Sequence, residues 1–460
     1  MKIRLQATAL VLPALLFLFF LFSAGSAHGL TIQEEQELAE EFLRTVRQRY
    51  SIIKDPAISD YIQELGEKIV SELPQQPFDY HFYVIKQDAY NAFAGPAGHI
   101  FVYSGLFEAL SHEGELAALL AHEIAHASSR HISKMIESSK KASLGTLAGV
   151  IAGILIGLGG DSSIGSAVVM GSMAAGESAV LSYTREKEMQ ADQLGREYLT
   201  KAGYDLHSML SLLKTIRSQE WFTTDQIPTY LRTHPATADR LTYLSSRLSG
   251  TAAPNPKPSH AFERAHTRLS ALYGDPSQAL EHFSQRAAEN PGQPMAHYGY
   301  GLALERNGNP EAALSEFSLA YEDRPDDPYL SADLGRVNFL VGNYERARML
   351  LEKSVDLGGA GPEARLYLGR TYLGLGDTVQ ASKTLNRLVT DHPEFTPGHY
   401  FLGKSYSEKG DPANAHYHLG LYHRGRNDQE AAVHHLRRAL ETMKDPEKVE
   451  KIKSLLEKDK

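Results

Sequence analysis

A few side chains in this chain have the types and spacing to grip a metal ion and move a proton. Residues 122–126 read His-Glu-Ile-Ala-His. On a helix, positions four apart share a face. His122 and His126 can therefore hold one ion while Glu123 projects beside it towards a water, the H-E-x-x-H arrangement. Further along, Glu188-Met-Gln-Ala-Asp192 sets two carboxylates one helical turn apart. Catalysis at zinc takes three protein ligands and one open position, and a ligating imidazole takes a carboxylate partner that fixes its tautomer. Glu188 is read as the third ligand and Asp192 as the carboxylate behind His122. Glu186 competes for the third place, but only Glu188 has an Asp four residues on. The chemistry would be amide hydrolysis. Zinc acidifies a water and polarises the scissile carbonyl, and Glu123 takes the proton and passes it to the leaving amine. One Zn2+ per chain is expected, from the preference of mixed His and carboxylate donors.

These groups need elements to hold them. The motif helix is apolar on its other face (Leu116, Leu119, Leu120, Ile124), so it is expected to be buried rather than a surface helix with unrelated histidines. It is expected to start after Ser111 as N-cap, with Glu113 and Glu115 in the positive first turn. Before it, 34–50 and 56–73 read as helices. Residues 79–85 alternate and read as a strand, and 99–103 as a second.

The 460 residues are enough for two or three cores. The formal charge of −9 argues against a nucleic-acid partner. There is no cysteine, which excludes disulfides, thiol catalysis and a lipoprotein anchor. Lys2 and Arg4 precede an apolar run from Ala9 to Phe22 and then Ser23-Ala-Gly-Ser-Ala27. That order is a secretory signal, 1–27, cleaved after Ala27; the competing reading is an uncleaved anchor helix. Export places the protein in the periplasm.

The C-terminal part is periodic. Gly274, Gly308, Gly342, Gly376 and Gly410 recur every 34 residues, each followed by Asp or Asn. Ala279, Ala313, Ala347, Ala381 and Ala415 keep the same period, as do Phe283, Phe317, Leu351, Leu385 and Leu419. This is the tetratricopeptide pattern of paired helices stacked into a solenoid. It runs over 260–446, after a Pro-rich linker at 251–259 that reads as stiff and extended. The last unit is irregular, with Gly425 only 15 residues after Gly410, so the helix at 412–424 is expected to serve two neighbours. Gly398 to Ser405 matches a P-loop pattern, but it falls inside a repeat helix with no strand before it. No nucleotide partner is expected.

On these residues the chain resembles the exported, tetratricopeptide-bearing branch of the metallopeptidases that include the CAAX prenyl protease and the heat-shock membrane protease HtpX. The resemblance is carried by Asp55-Pro56 with Tyr61 and Leu65-Gly66, by Asn91-Ala92-Phe93-Ala94 with Ser104-Gly105-Leu106, and by the metal helix with Arg130-His131. It continues through Tyr183-Thr184-Arg185 with Glu188 to Asp192, and Thr233-His234-Pro235 with Arg240-Leu241. One departure is Gly95-Pro96-Ala97-Gly98, which leaves the shape of that turn open. The resemblance implies a mainly α fold: a zincin-like metallopeptidase domain (31–250) with a small β-sheet, then the solenoid. It also implies substrate binding by strand addition along Asn91, Ala92, Phe93 and Ala94.

By the same resemblance His234 lies near the metal. It either stabilises the oxyanion or occupies the open position and holds the enzyme latent; a helix-start histidine without metal contact is the third reading. Residues 142–176, apolar and Gly-rich with Asp161 as the one charge, correspond to a segment that spans the bilayer in membrane-bound relatives. Here they read as a helical flap beside the site that touches membrane or unfolded clients.

The expected function is a periplasmic zinc endopeptidase acting on misassembled outer-membrane proteins, docked to outer-membrane assembly machinery through its repeats. The alternative is a chaperone or adaptor for that assembly with a latent metal site.

Overall fold

The computed structural model describes residues 30–137, 185–218, 229–235, 237–358 and 361–458. The segment 1–27, read from the sequence as a secretory signal, and the segment 142–176 lie outside the described residues. No helix among the described residues is long and apolar enough to cross a membrane.

The peptidase part begins with α1 (Ile32–Arg49) and α2 (Pro56–Val70). Both starts follow from their caps. Thr31 and Glu34 form a capping box, and Asp55 accepts from Ala57 N ahead of Pro56 at the first helical position. Three short strands follow, β1 (His81–Ile85), β2 (Ala92–Ala94) and β3 (His99–Tyr103). They form one sheet in the order β1-β3-β2, with β1 parallel and β2 antiparallel to β3. β2 is therefore an edge strand.

The Gly95–Gly98 stretch resolves into a tight turn. Ala97 sits at φ 50° and Gly98 at φ 79°. A left-handed Ala is strained, and the buried Glu35 carboxylate holds it by accepting from Ala97 N at 3.2 Å.

The short helix α3 (Ser104–Ala109) leads into the motif helix α4 (Glu113–Ser128). Its N-cap is His112 rather than Ser111, and no side chain caps it. Ser111 instead donates from its N–H and hydroxyl to the buried Glu115, at 2.7 and 3.0 Å. The expectation was off by one residue because the serine serves a carboxylate further into the helix. α5 (His131–Glu137) follows α4 directly. Then come α6 (Arg185–Lys201), α7 (His207–Ser218), α8 (Thr229–Thr233) and α9 (Thr237–Arg247). α4 packs against α6, α7 and α2, and its leucines are fully buried in the main core.

Residues 251–259 have no regular structure and are exposed as far as Pro258. Beyond them the solenoid runs in pairs. These are α10 (His260–Tyr273) with α11 (Pro276–Glu289), α12 (Pro294–Arg306) with α13 (Pro310–Asp323), and α14 (Pro328–Leu340) with α15 (Tyr344–Leu357). They continue with α16 (Gly361–Gly374) and α17 (Thr378–Asp391), and with α18 (Thr396–Glu408) and α19 (Pro412–Gly425). α20 (Gln429–Leu440) and α21 (Pro446–Lys458) close the array.

The Gly-Asp/Asn pairs explain the turns. Gly308, Gly342, Gly376 and Gly410 have φ between 75° and 83°. Asp275, Asn309, Asp377 and Asp411 then cap the next helix with their side chains. Gly274 differs, with φ −74°. The second glycine register is a close approach: a Cβ on Gly369 would lie 2.5 Å from Leu385. α19 contacts both α18 and α20, which is how one helix serves two neighbours. α21 continues past residue 446 and buries Ile452 against Tyr417 and Leu436.

The change of motif at residue 260 is not a break in the core. Phe262, Ala265 and Leu269 of α10 belong to the same cluster as the leucines of α4. Glu113, at the start of α4, accepts from Tyr61 Oη (3.2 Å) and Tyr204 Oη (2.8 Å), and also from the Ser259 hydroxyl.

Candidate active site

α4 presents His122 and His126 on one face, and α6 brings Glu188 and Asp192 opposite them. The His122 and His126 Nε2 atoms lie 3.1 Å apart. Glu188 reaches both, at 3.5 Å from His122 Nε2 and 3.3 Å from His126 Nε2. His234 follows α8 and enters the same space, with Nδ1 3.4 Å from His122 Nε2 and 3.0 Å from Glu188 Oε1. One donor atom from each of these four buried residues lies within 4.8 Å of the others. Gly195 on α6 permits this approach, since a Cβ there would stand 3.1 Å from the Ala121 carbonyl oxygen.

Such a donor set fits a metal ion. Glu123 gives a second, independent indication. It is fully buried, and neither carboxylate oxygen has a hydrogen-bond partner among the described residues. His234 Nε2 lies 3.6 Å from its Oε1, and a buried carboxylate that accepts no hydrogen bond is costly unless something polar occupies the space in front of it. Burial pushes its pKa up.

The surrounding charges are arranged to hold the ligands. Asp192 Oδ1 lies 3.1 Å from His122 Nδ1, the contact expected for the group behind a ligand. Arg240 of α9 grips Asp192 through Nε and Nη2, both at 2.7 Å, and places Nη1 2.9 Å from Glu188 Oε2. Burial raises the Asp192 pKa, but Arg240 and His122 outweigh it and hold it down at about 2. Glu188 is also held well below the carboxylate range against burial, by His234 and Arg240. Burial keeps His126 neutral. His131 stands behind His126, Nδ1 to Nδ1 at 2.9 Å, and its other nitrogen is 3.1 Å from Gln190 Oε1.

Of the residues singled out from sequence, the structure brings His122, Glu123, His126, Glu188, Asp192 and His234 together. Glu186 is not in the donor group. Asn91 to Ala94 lie beside α4 as the start and body of the edge strand. All four are buried, at 0–1 % exposure, so the edge is covered in this structure. Tyr230 of α8 takes part: its N–H donates to the Tyr90 carbonyl at 3.0 Å, and its ring stacks on His234 at 4.3 Å. Sequence reasoning quoted Arg240 and His131 without assigning them roles. A signal for Arg240 was available in charge: two carboxylates on one buried helix face call for a cation. For His131 no comparable signal exists, because the left-handed Arg130 (φ 52°) that turns it back is a tertiary feature.

Comparison with known proteins agrees with this site. Residues 55–248 match the family model described as peptidase family M48, and residues 274–328 and 339–404 match tetratricopeptide repeat models. The chain is 27% identical over 395 residues to the beta-barrel assembly-enhancing protease of Escherichia coli (strain K12), covering 83% of this chain and 78% of that one. It is 28% identical over 284 residues to a putative beta-barrel assembly-enhancing protease of Vibrio cholerae, covering 60% and 58%. Among solved structures, a crystal structure of MamA is similar at TM-score 0.32 and 17% identity, covering 36% of this chain and 96% of that one.

Proposed function

Since this chain carries a metallopeptidase domain of family M48 followed by tetratricopeptide repeats, we propose that it is a zinc endopeptidase of the periplasm that removes misassembled outer-membrane proteins. The observation that carries the reading is the convergence of His122, His126 and Glu188 beside a buried Glu123 whose oxygens accept no hydrogen bond. The N-terminal leader pattern supports export, and the names of the relatives support the client class. The repeats would dock the enzyme to assembly machinery.

Zinc held by His122, His126 and Glu188 would acidify a water and polarise a peptide carbonyl. Glu123, buried beside the ligands, would take the proton and return it to the leaving amine. Asp192, fixed by Arg240, holds the His122 ring in one orientation.

His234 supports a latent resting state. Its Nδ1 sits among the donors, and its neighbour Tyr230 is bonded to the start of the edge strand. One movement of the 229–235 segment would free both the fourth position and the strand that receives substrate.

The test is cleavage of casein by the mature protein against Glu123→Gln, both with verified zinc. Loss in the variant supports the peptidase, and equal cleavage sinks it. His234→Ala then separates the roles: faster cleavage supports latency, slower cleavage an oxyanion role.

A further inference from the structure

We infer that the first helices of the repeats carry a row of guanidinium sites for carboxylates. The protein uses part of the row to seat its own peptidase domain. Arg370 is left to take an acidic segment of another polypeptide.

The row is periodic. Arg268, Arg336 and Arg370 each follow the small residue of the second register (Thr267, Gly335, Gly369), and Lys404 follows Gly403. Leu302 is the interruption. They stand on α10, α14, α16 and α18, and the pairs α14–α16 and α16–α18 are in contact.

The first two arginines are satisfied within the chain. Arg268 is buried and fork-bonded to Asp55, with Nε 3.0 Å from both oxygens and Nη2 2.6 Å from Oδ2. It also bonds Asp333 and Tyr298. Asp55 belongs to the peptidase domain, in an extended backbone directly before Pro56. Arg336 bonds Asp333 at 2.7 Å and pairs with Glu305. This array therefore already seats a carboxylate from an Asp-Pro segment.

Arg370 is the exception. Its guanidinium lies over three rings, 4.6 Å from Phe339 and Tyr367 and 4.7 Å from Phe401. It makes no hydrogen bond or ion pair among the described residues, and its Nε is buried without a partner. Rings packed this closely hold the guanidinium in place and strip water from it. They leave the N–H edge, which matches a carboxylate in a two-point contact. The row is also continuous with the interface already occupied. The small cavity beside Asp55 and Pro56 is lined by Arg268, Arg336 and Tyr367, and Tyr367 is one of the rings under Arg370.

This deepens the proposed docking role of the repeats, and it does not depend on peptide hydrolysis. The probe is a capped, fluorescein-labelled heptapeptide with the sequence Ile52–Ile58, whose one peptide carboxylate is the Asp55 equivalent, so the Asn peptide with the same label controls for the dye's own charge. Binding by full-length mature protein is followed by anisotropy at low and high salt, in the Glu123→Gln background so that the probe survives. The expected result is binding that weakens with salt, and that falls about tenfold or more in Arg370→Gln or with an Asn peptide. A fall of no more than a few degrees in melting temperature is expected for Arg370→Gln, since ring contacts but no internal hydrogen bond are lost. Equal binding by Arg370→Gln, or equal binding of Asp and Asn peptides, overturns the proposal. So does a wild-type dimer in sedimentation that Arg370→Gln dissolves, because a second copy would then cover the site. Failure of the casein test with success here would leave a docking protein without the peptidase role.

Discussion

The metal cluster and the arginine row are both buried collections of charge, and they are built on opposite plans. Around Glu123, charges from α4, α6, α9 and the segment after α8 converge on one point and leave carboxylate oxygens without partners. Along the solenoid, arginines recur at multiples of the 34-residue period; Arg268 and Arg336 are paired within the chain, and Arg370 stands out by lacking the carboxylate those two have. In an aperiodic domain, function shows as polar groups that the fold leaves unsatisfied. In a periodic one it shows as a break in the period.

The largest effect expected tests the first half of that contrast. Glu123→Gln should lower casein cleavage by about 100-fold or more and leave the melting temperature within a few degrees, because the variant removes a buried carboxylate that accepts no hydrogen bond. A stability loss equal to the activity loss would mean that Glu123 is structural. Next in size is Arg268→Ala, which leaves Asp55 buried without its cation and Asp333 with Arg336 alone. Breaking a buried pair costs about 3–5 kcal/mol. Because Arg268 joins the solenoid to α2, the loss should appear in denaturant unfolding and as new protease cutting near residues 251–259. Arg370→Ala should cost less in the same assay, about 0.5–2 kcal/mol for the ring contacts it gives up. Similar losses for the two arginines would erase the distinction between an internal and an open site.

A smaller effect probes the two kinds of glycine in the solenoid. Gly369→Ala forces a Cβ to 2.5 Å from Leu385, and overpacking of this kind costs about 1–3 kcal/mol. Gly376→Ala meets no atom within 4 Å but keeps φ at 77°, so it carries a backbone penalty of about 1 kcal/mol. Denaturant midpoints order the two. The reverse order would mean that helix spacing is looser than the close contacts imply.

Much of this was legible in the chain. The solenoid could be read almost residue by residue, because each repeat makes the same demand: a left-handed glycine, a capping Asp or Asn, and small residues where helices cross. The ligand positions were legible because helical spacing alone places His122 with His126 and Glu188 with Asp192. The turn at Ala97, the seating of Arg240 and the role of Asp55 were not legible. Each depends on a partner far away in sequence (Glu35, Asp192 and Arg268 respectively), and no local pattern encodes such a meeting. The merging of α10 into the peptidase core escaped for a related reason. Its apolar face looks like that of any repeat helix, and the composition of 251–259 suggests a boundary that packing does not respect.

The finest test of the periodic plan compares two histidines three repeats apart. His297 and His399 occupy the same position, and each has Nε2 near the carbonyl of an earlier proline, Pro291 at 3.0 Å and Pro393 at 3.2 Å. Their other partners differ. His297 Nδ1 lies 2.7 Å from Glu316, so both ring nitrogens face acceptors and the protonated ring is favoured. His399 Nδ1 lies 3.1 Å from His418 Nδ1, and since His399 donates from Nε2 it accepts here from a neutral His418. Burial lowers both, but for His297 the hydrogen bonds to Glu316 and the Pro291 carbonyl, with the Glu316 charge, together outweigh it and the pKa is raised above 6.5. For His399 burial prevails and the pKa falls below 6.5. The linkage signs are opposite. The raised His297 contributes stability that is complete below pH 6.5 and is lost as pH rises through its folded-state value. The lowered His399 stabilises at higher pH, and that contribution is lost as pH falls from 6.5 towards its folded-state value. Amide exchange, corrected for intrinsic rates, should show protection in α12 falling on the alkaline side and protection in α18 falling on the acid side. Glu316→Gln should remove the alkaline loss in α12 and leave α18 unchanged. A shared pH trend in both helices would show that the partner across the repeat does not set the charge of this position.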